Sequence, residues 1–331
     1  MIKYPPIKIN LGLNVLRKRE DGFHDLETLF LESGRFHDTL EIVTGDDYSR
    51  TMASLAARYG DRGGICDGDI PALAQGISEN GKLMITVARA EGVDWDVRKD
   101  LCAKAYALLD NDFKLPPAKI FLEKNSPVGA GLGGGSADAA YTLTMLNDIC
   151  SLGLSTEQLA GYAARLGSDC AFFIFGRPMF GEGRGEVLTP FELAVDIVDA
   201  GGAACPIDGT GSSGSGNDSS GTGTARPCTR EHPEKDRPQY ELQIVIPEGI
   251  SVSTAEAYRG ITPAIPEMRL KDVLARPVSE WKDLLVNDFE TTVFKAHPEL
   301  AAIKQSLYDS GAIYASMSGS GSALFALYER R

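Results

Sequence analysis

Pro127-Val-Gly-Ala-Gly-Leu-Gly-Gly-Gly-Ser136-Ala-Asp-Ala-Ala140 carries five glycines within seven residues and runs straight into a helical pattern. Ala139, Leu143, Leu146 and Cys150 recur at helical spacing, and Gly153 is placed to end that helix. The glycines therefore sit at a helix N-terminus. There the first backbone N–H groups lack a partner within the helix and the dipole adds about half a positive charge, so a bound anion satisfies both. Residues without a Cβ also let a polyphosphate approach the backbone closely. On this reading Pro127, Gly129, Ala130, Gly131, Leu132, Gly133, Gly134, Gly135 and Ser136 form a phosphate cradle.

Two common phosphate-loop patterns do not fit. A Walker A loop closes with Gly-Lys-Ser/Thr, whereas Gly135-Ser136-Ala137 has no lysine. The dinucleotide pattern can be laid over Gly129, Gly131 and Gly134, but Asn125-Ser126-Pro127 ahead of it is a turn, and no acidic residue is evident at the required distance. The bland alternative, a flexible linker, is disfavoured by the flanking proline and the abutting amphipathic helix.

The whole chain sets outer bounds. Its 331 residues, 43% apolar, can bury a full core and suggest two domains. A net charge of −13 argues against a nucleic-acid or anionic-membrane partner, so phosphate must be held by local donors. Met1-Ile-Lys-Tyr-Pro-Pro6 lacks the apolar core of a signal peptide, and no run approaches the roughly 18 apolar residues of a spanning helix, so the expectation is a cytoplasmic protein acting on a small molecule. The cysteines at 66, 102, 150, 170, 205 and 228 form no Cys-x-x-Cys pair and read as reduced, mostly apolar side chains. The four histidines are too scattered to suggest a metal site, and the metal ligands are left unknown.

Ahead of the glycine loop, Ile7-Lys8-Ile9-Asn10-Leu11-Gly12-Leu13-Asn14 alternates without a break, so a strand here presents Lys8 and Asn10 on one face. A plain edge strand would look the same. Asp21-Gly22 is a turn signal directly before Phe23-His24, a pair suited to a planar heterocycle, with a core phenylalanine beside a surface histidine as the alternative. Strands are expected near 38–43 and 119–124 and a helix over 99–109. Residues 46–79 read as irregular, within an insertion near 46–90, apart from a short helix through Met52–Tyr59.

Beyond the loop helix, Ser155-Thr-Glu-Gln158 is a capping box and opens a helix ending at Gly167. Ser168-Asp169-Cys170 then meets the apolar run 171–175, which places Asp169 on the shoulder of a buried strand or in a turn leading to it. Residues 200–238 are Gly, Ser, Thr, Asp and Pro with few large apolar side chains; such a segment cannot offset its ordering entropy and is expected to decorate a hairpin. A strand is expected over 240–246, helices near 282–294 and 298–308, and a second Gly/Ser turn, Ser316 to Ala323, before a last strand. Two such loops suggest two walls of one anion site, although a tight turn between helix and strand is the more ordinary account of the second.

Lys8-Ile-Asn10 with Asp21-Gly-Phe-His24, the 127–140 loop, Gly167-Ser-Asp169 and Ser318-Gly-Ser-Gly-Ser322 occur in the order of the three motifs of the GHMP kinases, and the chain resembles that superfamily over most of its length apart from roughly 46–90 and 200–238. The Asp-Gly-aromatic-His stretch points to the branch with a cytidyl substrate. The resemblance implies an α+β, two-domain fold: a ribosomal S5 domain 2-like, ATP-binding part over 1–180 and a ferredoxin-like part over 181–331, with the active site between them.

It further implies ATP-dependent phosphorylation, with Mg²⁺, of the 2-hydroxyl of a cytidine diphosphate-linked methylerythritol in non-mevalonate isoprenoid synthesis. Carried over residue by residue, Asp169 is the catalytic base and Lys8 its partner. Phe23 and His24 stack on and hydrogen-bond to cytosine, Tyr258 covers its other face, Asn10 holds the substrate near Asp169, and Thr254 contacts the diphosphate. Asp100 departs from the commoner Asn beside the adenine pocket, Phe23 from a commoner Tyr, and Ala137 from a commoner Ser. A homoserine- or mevalonate-type kinase, or a non-catalytic nucleotide-binding protein, are the alternatives.

Overall fold

The computed structural model describes residues 1–45, 51–59, 70–200 and 237–330. The low-complexity stretch, apart from its margins, and Cys66, Cys205 and Cys228 lie outside them. Alternating and β-branched runs give three sheets. The first has the order β1 (Ile2–Lys3), β4 (Thr39–Thr44), β7 (Ala118–Lys124), β6 (Leu83–Arg89), β5 (Leu73–Ile77), with only β6 and β7 parallel. One face packs Leu40, Ile42, Ile85, Val87, Ile120 and Leu122 against α2 (Leu101–Phe113), α3 (Gly134–Ile149) and α4 (Thr156–Ala164). The other face is covered by α1 (Thr51–Tyr59), through Leu55 and Tyr59 on Val43 and Phe121.

The second sheet, β2 (Pro6–Lys18), β3 (His24–His37), β8 (Met179–Glu182) and β9 (Val187–Pro190), is the middle layer. Ile7, Ile9, Leu11, Leu29 and Leu31 face the third sheet, while Phe30 faces α3 and α5 (Cys170–Phe175). The third sheet has the order β10 (Asp196–Asp199), β11 (Gln239–Val245), β13 (Leu324–Glu329), β12 (Tyr314–Met317). Its outer face is covered by α6 (Thr254–Arg259), α9 (Phe289–Ala296) and α10 (Pro298–Asp309); α7 (Leu270–Leu274) and α8 (Val278–Leu284) flank its contact with β2. Because both faces of β2 are covered, it is buried from Pro6 to Val15, and the polar side chains of its alternation are buried with it.

Several expectations change. The run 171–175 is helical: Gly176, with φ 58°, closes α5, and the helical turn lets the adjacent Phe172 and Phe173 both reach the core, which a strand would send to opposite faces. The predicted 282–294 helix is two helices, broken where Val286 and Asp288 hydrogen-bond to the backbone of Leu13. Within the expected 46–90 insertion, α1 forms as predicted, but β5 and β6 are a regular antiparallel pair; β5 is the half-exposed edge strand of the sheet, while β6 is internal and mostly buried. The chain bordering the low-complexity stretch is no hairpin, because β10 and β11 pair in parallel. The loop helix ends at Cys150, and Ser151, with φ 50°, takes the left-handed turn ahead of Gly153. The capping box at Ser155 and Gln158 forms as expected.

Under the glycine loop, Lys124 at the end of β7 pairs with Asp38 and with Asp138 of α3, and all three are buried. Burial works against the charge on Lys124, but Asp138 and Asp38 override it and hold its pKa above the ordinary lysine value. Asp38 also accepts the backbone N–H groups of Asn125 and Ser126, each at 2.7 Å, and so fixes the chain entering the loop.

Glu32 of β3 has no such support. Its Oε1 is buried without a hydrogen-bond partner among the described residues, and burial pushes its pKa up to about 7. The folded protein binds this proton more tightly than the unfolded chain does. The cost of the site is therefore absent below the ordinary carboxyl range, grows as the pH rises from there to about 7, and is complete above it. Glu32→Gln is expected to raise stability at pH 8 by roughly 2 to 3 kcal/mol and to leave it nearly unchanged at pH 4. Urea unfolding of both proteins at the two pH values checks this, and equal stabilisation at both would contradict it.

Candidate active site

Three backbone segments converge on the side chain of Lys8, which is only 3% exposed. Its Nζ donates to Asn10 Oδ1 at 2.5 Å and to the Gly131 carbonyl at 2.8 Å, and lies 3.4 Å from Asp169 Oδ2. Asp169 stands at the start of α5, caps no backbone N–H there and is 31% exposed, so one acid is left facing solvent beside a buried cation. Asn10 is committed at both ends: Oδ1 to Lys8, and Nδ2 to Thr28 Oγ1 at 3.0 Å. Its backbone N–H donates to Ser318 Oγ at 3.3 Å.

The glycine loop passes over this group. Gly129, Gly131 and Gly133 all have φ near +75°, a region costly for other residues. A Cβ on Gly131 would overlap the Ser318 carbonyl oxygen, and one on Gly133 would come 3.1 Å from Lys8 Cγ. Ala130 and Leu132 point into the core and anchor the loop, with Lys8 N–H donating to the Leu132 carbonyl and Ala323 N–H to the Ala130 carbonyl. Gly133 is the N-cap of the 16-residue α3 and offers no side-chain cap. This helix start is thus open to an anion, flanked by backbone that a Cβ would crowd, and it fits a polyphosphate. No group of three or more His, Cys, Asp or Glu among the described residues could hold a metal ion by itself.

The Gly/Ser turn after β12 is the second wall: Ser318 Oγ also donates to the Gly131 carbonyl at 3.3 Å. At the mouth, Thr254 Oγ1 and Ser320 Oγ are 3.1 Å apart. The rings of His24 and Tyr258 stack at 4.7 Å and 20°, and Tyr258 forms a T-shaped pair with Phe289 at 4.7 Å. Burial pushes the Tyr258 pKa up, and the charge of Asp169 adds to it, which ties this aromatic pair electrostatically to the Lys8 cluster. Phe23 is 53% exposed and does not share the stack; the Arg184 guanidinium lies 4.9 Å over its ring. It precedes the first residue of β3, so its side chain leaves the turn on a different course from that of His24.

The structure thus brings together Lys8, Asn10, Asp169 and the glycine loop, and sets His24, Tyr258 and Thr254 on the neighbouring wall. Phe23 stands apart. Thr28, Arg184 and Asn287 escaped the sequence reading, because none belongs to a motif or a periodic pattern. Ser318 was visible only as part of a Gly/Ser turn. Asp100 caps α2 through the N–H of Cys102 and accepts from Trp95 Nε1, a structural use of the residue.

The chain is similar to known proteins along its whole length. The GHMP kinases N terminal domain family matches residues 100–177 and the GHMP kinases C terminal family residues 270–331. Proteins named 4-diphosphocytidyl-2-C-methyl-D-erythritol kinase are similar along the whole chain. That of Bacteroides fragilis is 37% identical over 328 residues, covering 99% of this chain and 92% of that protein. That of Bacteroides thetaiotaomicron is 38% identical over 329 residues, with the same coverage. A crystal structure of 4-(cytidine 5'-diphospho)-2C-methyl-D-erythritol kinase superposes with a TM-score of 0.63 at 25% identity, covering 99% of this chain and 90% of that one.

Burial, and then the positive charge of Lys18, hold the His24 pKa below the ordinary histidine value. Removing the ring stacked on it should restore water to the imidazole. In Tyr258→Ala the His24 pKa is expected to move up toward its ordinary value, as read by NMR titration of the imidazole protons; an unmoved titration would mean that Tyr258 does not shield it.

Proposed function

Since the chain belongs to the 4-diphosphocytidyl-2-C-methyl-D-erythritol kinases of the GHMP kinase family, we propose that it transfers the γ-phosphoryl group of ATP to the 2-hydroxyl of 4-diphosphocytidyl-2-C-methyl-D-erythritol, a step of non-mevalonate isoprenoid synthesis. The observation that carries the reading is the Lys8–Asp169 pair set beside an uncapped, glycine-lined helix start.

Phosphoryl transfer through a loose transition state asks for positioning and charge neutralisation more than covalent help. The N–H groups of the 129–136 loop take the phosphates of ATP, with the part over 1–180 supplying the nucleotide site and the part over 181–331 the opposite wall. Asp169 accepts the proton of the acceptor hydroxyl as its oxygen bonds to the γ-phosphorus and the bond from that phosphorus to the departing ADP oxygen breaks. Lys8, 3.4 Å from Asp169, offsets charge gathering on the transferred group. Mg²⁺ would neutralise phosphate charge, held by the phosphates and water with Asp169 or the Ser136 hydroxyl in reach, because the chain supplies no acidic cluster of its own among the described residues.

Phe23, His24 and Tyr258 hold the cytosine, and Thr254 the diphosphate. A base slotted between two rings needs about twice the spacing of a single stack, and His24 and Tyr258 at 4.7 Å leave no such room. His24 therefore leaves the Tyr258 face when the base binds and turns to the base edge. Both polar ends of the Asn10 side chain serve Lys8 and Thr28, so its part is to orient Lys8 and to offer its remaining N–H to the acceptor.

ADP release from ATP and Mg²⁺ is expected with the cytidyl acceptor and not with homoserine, mevalonate or no acceptor. Release with another alcohol would retain the kinase and discard the cytosine site. Asp169→Asn is expected to lower kcat by about 10² to 10⁴-fold with CDP binding retained, and near-normal turnover would remove Asp169 from its role. CDP should raise the melting temperature of the unmodified protein and fail to do so in Phe23→Ala and His24→Ala; a preserved shift in both would separate these rings from the base.

A further inference from the structure

Asn287-Asp288-Phe289-Glu290 belongs to none of the three motifs, yet its side chains end on three supports of the site: the Gly/Ser turn, β2 and Tyr258. Asn287, 2% exposed, donates through Nδ2 to the carbonyls of Met317 and Gly319 at 2.7 and 2.8 Å, and accepts the Phe289 N–H through Oδ1 at 3.0 Å. Asp288 Oδ2 accepts the N–H of Val15 on β2 at 2.6 Å, while its own backbone N–H donates to the Leu13 carbonyl. Phe289 packs against Tyr258 in a T-shaped pair. Glu290 Oε1 accepts from Ser316 Oγ and Met317 N–H, and Oε2 from Lys304 Nζ at 2.6 Å.

Two of the four side chains therefore clamp the Ser316–Gly319 turn from behind. On its front that turn meets Asn10 N–H and the Gly131 carbonyl through Ser318, and a Cβ at Gly319 would lie 3.4 Å from Lys8 Nζ. The same segment pins β2, the strand that bears Lys8, through two backbone-directed bonds at Leu13 and Val15. We propose that Asn287–Glu290 is a positioning segment that sets two functions separately: Asn287 and Glu290 hold the Gly/Ser turn against Lys8 and the phosphate loop, and Phe289 holds Tyr258 at the base site. The inference rests on the kinase reading for what each wall does.

The variants are Asn287→Asp, which keeps the acceptor for Phe289 N–H but sets a carboxylate oxygen against two carbonyls, and Phe289→Leu, which keeps an apolar filler and loses the aromatic ring. Expected for Asn287→Asp is a fall of about 10 to 100-fold in kcat with the CDP dissociation constant within about threefold of normal. Expected for Phe289→Leu is a CDP dissociation constant raised by about 3 to 10-fold, with kcat at saturating acceptor within about twofold. Amide hydrogen exchange without substrate reads the same division: faster exchange over 316–323 and 129–133 in the first variant, over 254–260 in the second.

A segment that merely stabilises the fold would lower kcat and CDP affinity together in both variants, or speed exchange throughout the third sheet, and either result overturns the proposal. Should Asn287→Asp fail to fold by circular dichroism, Asn287→Ser, which adds no charge, is judged by the same criteria. An unmodified protein that fails to turn over the cytidyl acceptor would defeat the kinase reading, while the exchange pattern would still decide the positioning role.

Discussion

Placing the ammonium of Lys8 inside the middle layer of the molecule is the constraint from which the site follows. Removing such a group from water costs several kcal/mol unless oxygen atoms replace its hydration. The replacements come from three distant parts of the chain: Asn10 on the same strand, the Gly131 carbonyl and the Asp169 carboxylate. Each demand propagates. The Gly131 carbonyl can reach Lys8 only if the loop adopts positive φ values and carries no Cβ against Ser318; Asp169 can reach it only if α5 begins there. Satisfying one cation thus brings the helix start, the acid and the second Gly/Ser turn to one point.

Much of this was legible in the residues themselves. The alternation of 7–14 put Lys8 and Asn10 on one face, and glycines abutting a helical pattern gave the anion cradle, because both rest on short-range periodicity and backbone sterics. What the sequence withheld depends on contacts between remote segments. That β2 is covered on both faces follows from the third sheet packing on it, so a strand that reads as half-polar is buried. The helical state of 171–175 was hidden because a five-residue apolar run has no distinguishable period. The stacking of His24 in place of Phe23 on Tyr258 depends on the exit of one turn. Asn287 is invisible in sequence since its two acceptors are carbonyls some thirty residues downstream.

The two walls differ in how firmly they are held. Beneath the phosphate loop, Lys124, Asp38, Asp138 and Ser126 form a buried network that ties β7, the entry to β4 and α3 together, and removing the Lys124 ammonium would leave two buried carboxyl groups without their cation. At the mouth, Phe23 is half exposed, and the His24–Tyr258 contact is a stack of two rings worth on the order of 1 kcal/mol. A rigid floor suits chemistry that tolerates little misplacement, and a loosely closed aromatic mouth suits a base that must enter and leave.

The parallel pairing of β10 with β11 bears on what the chain between them can lose. An antiparallel pair could be trimmed to a two-residue turn, but parallel neighbours start from the same end of the sheet, so the connection has to carry the chain back along the full strand length and needs a dozen or more residues. The Gly- and Ser-rich stretch from 200 to 238 is therefore not dispensable in length. Shortened below that reach, it would force β10 out of the sheet and take Asp199, which accepts the hydroxyl of Ser33 and the N–H of Gly34 on β3, away from the middle layer.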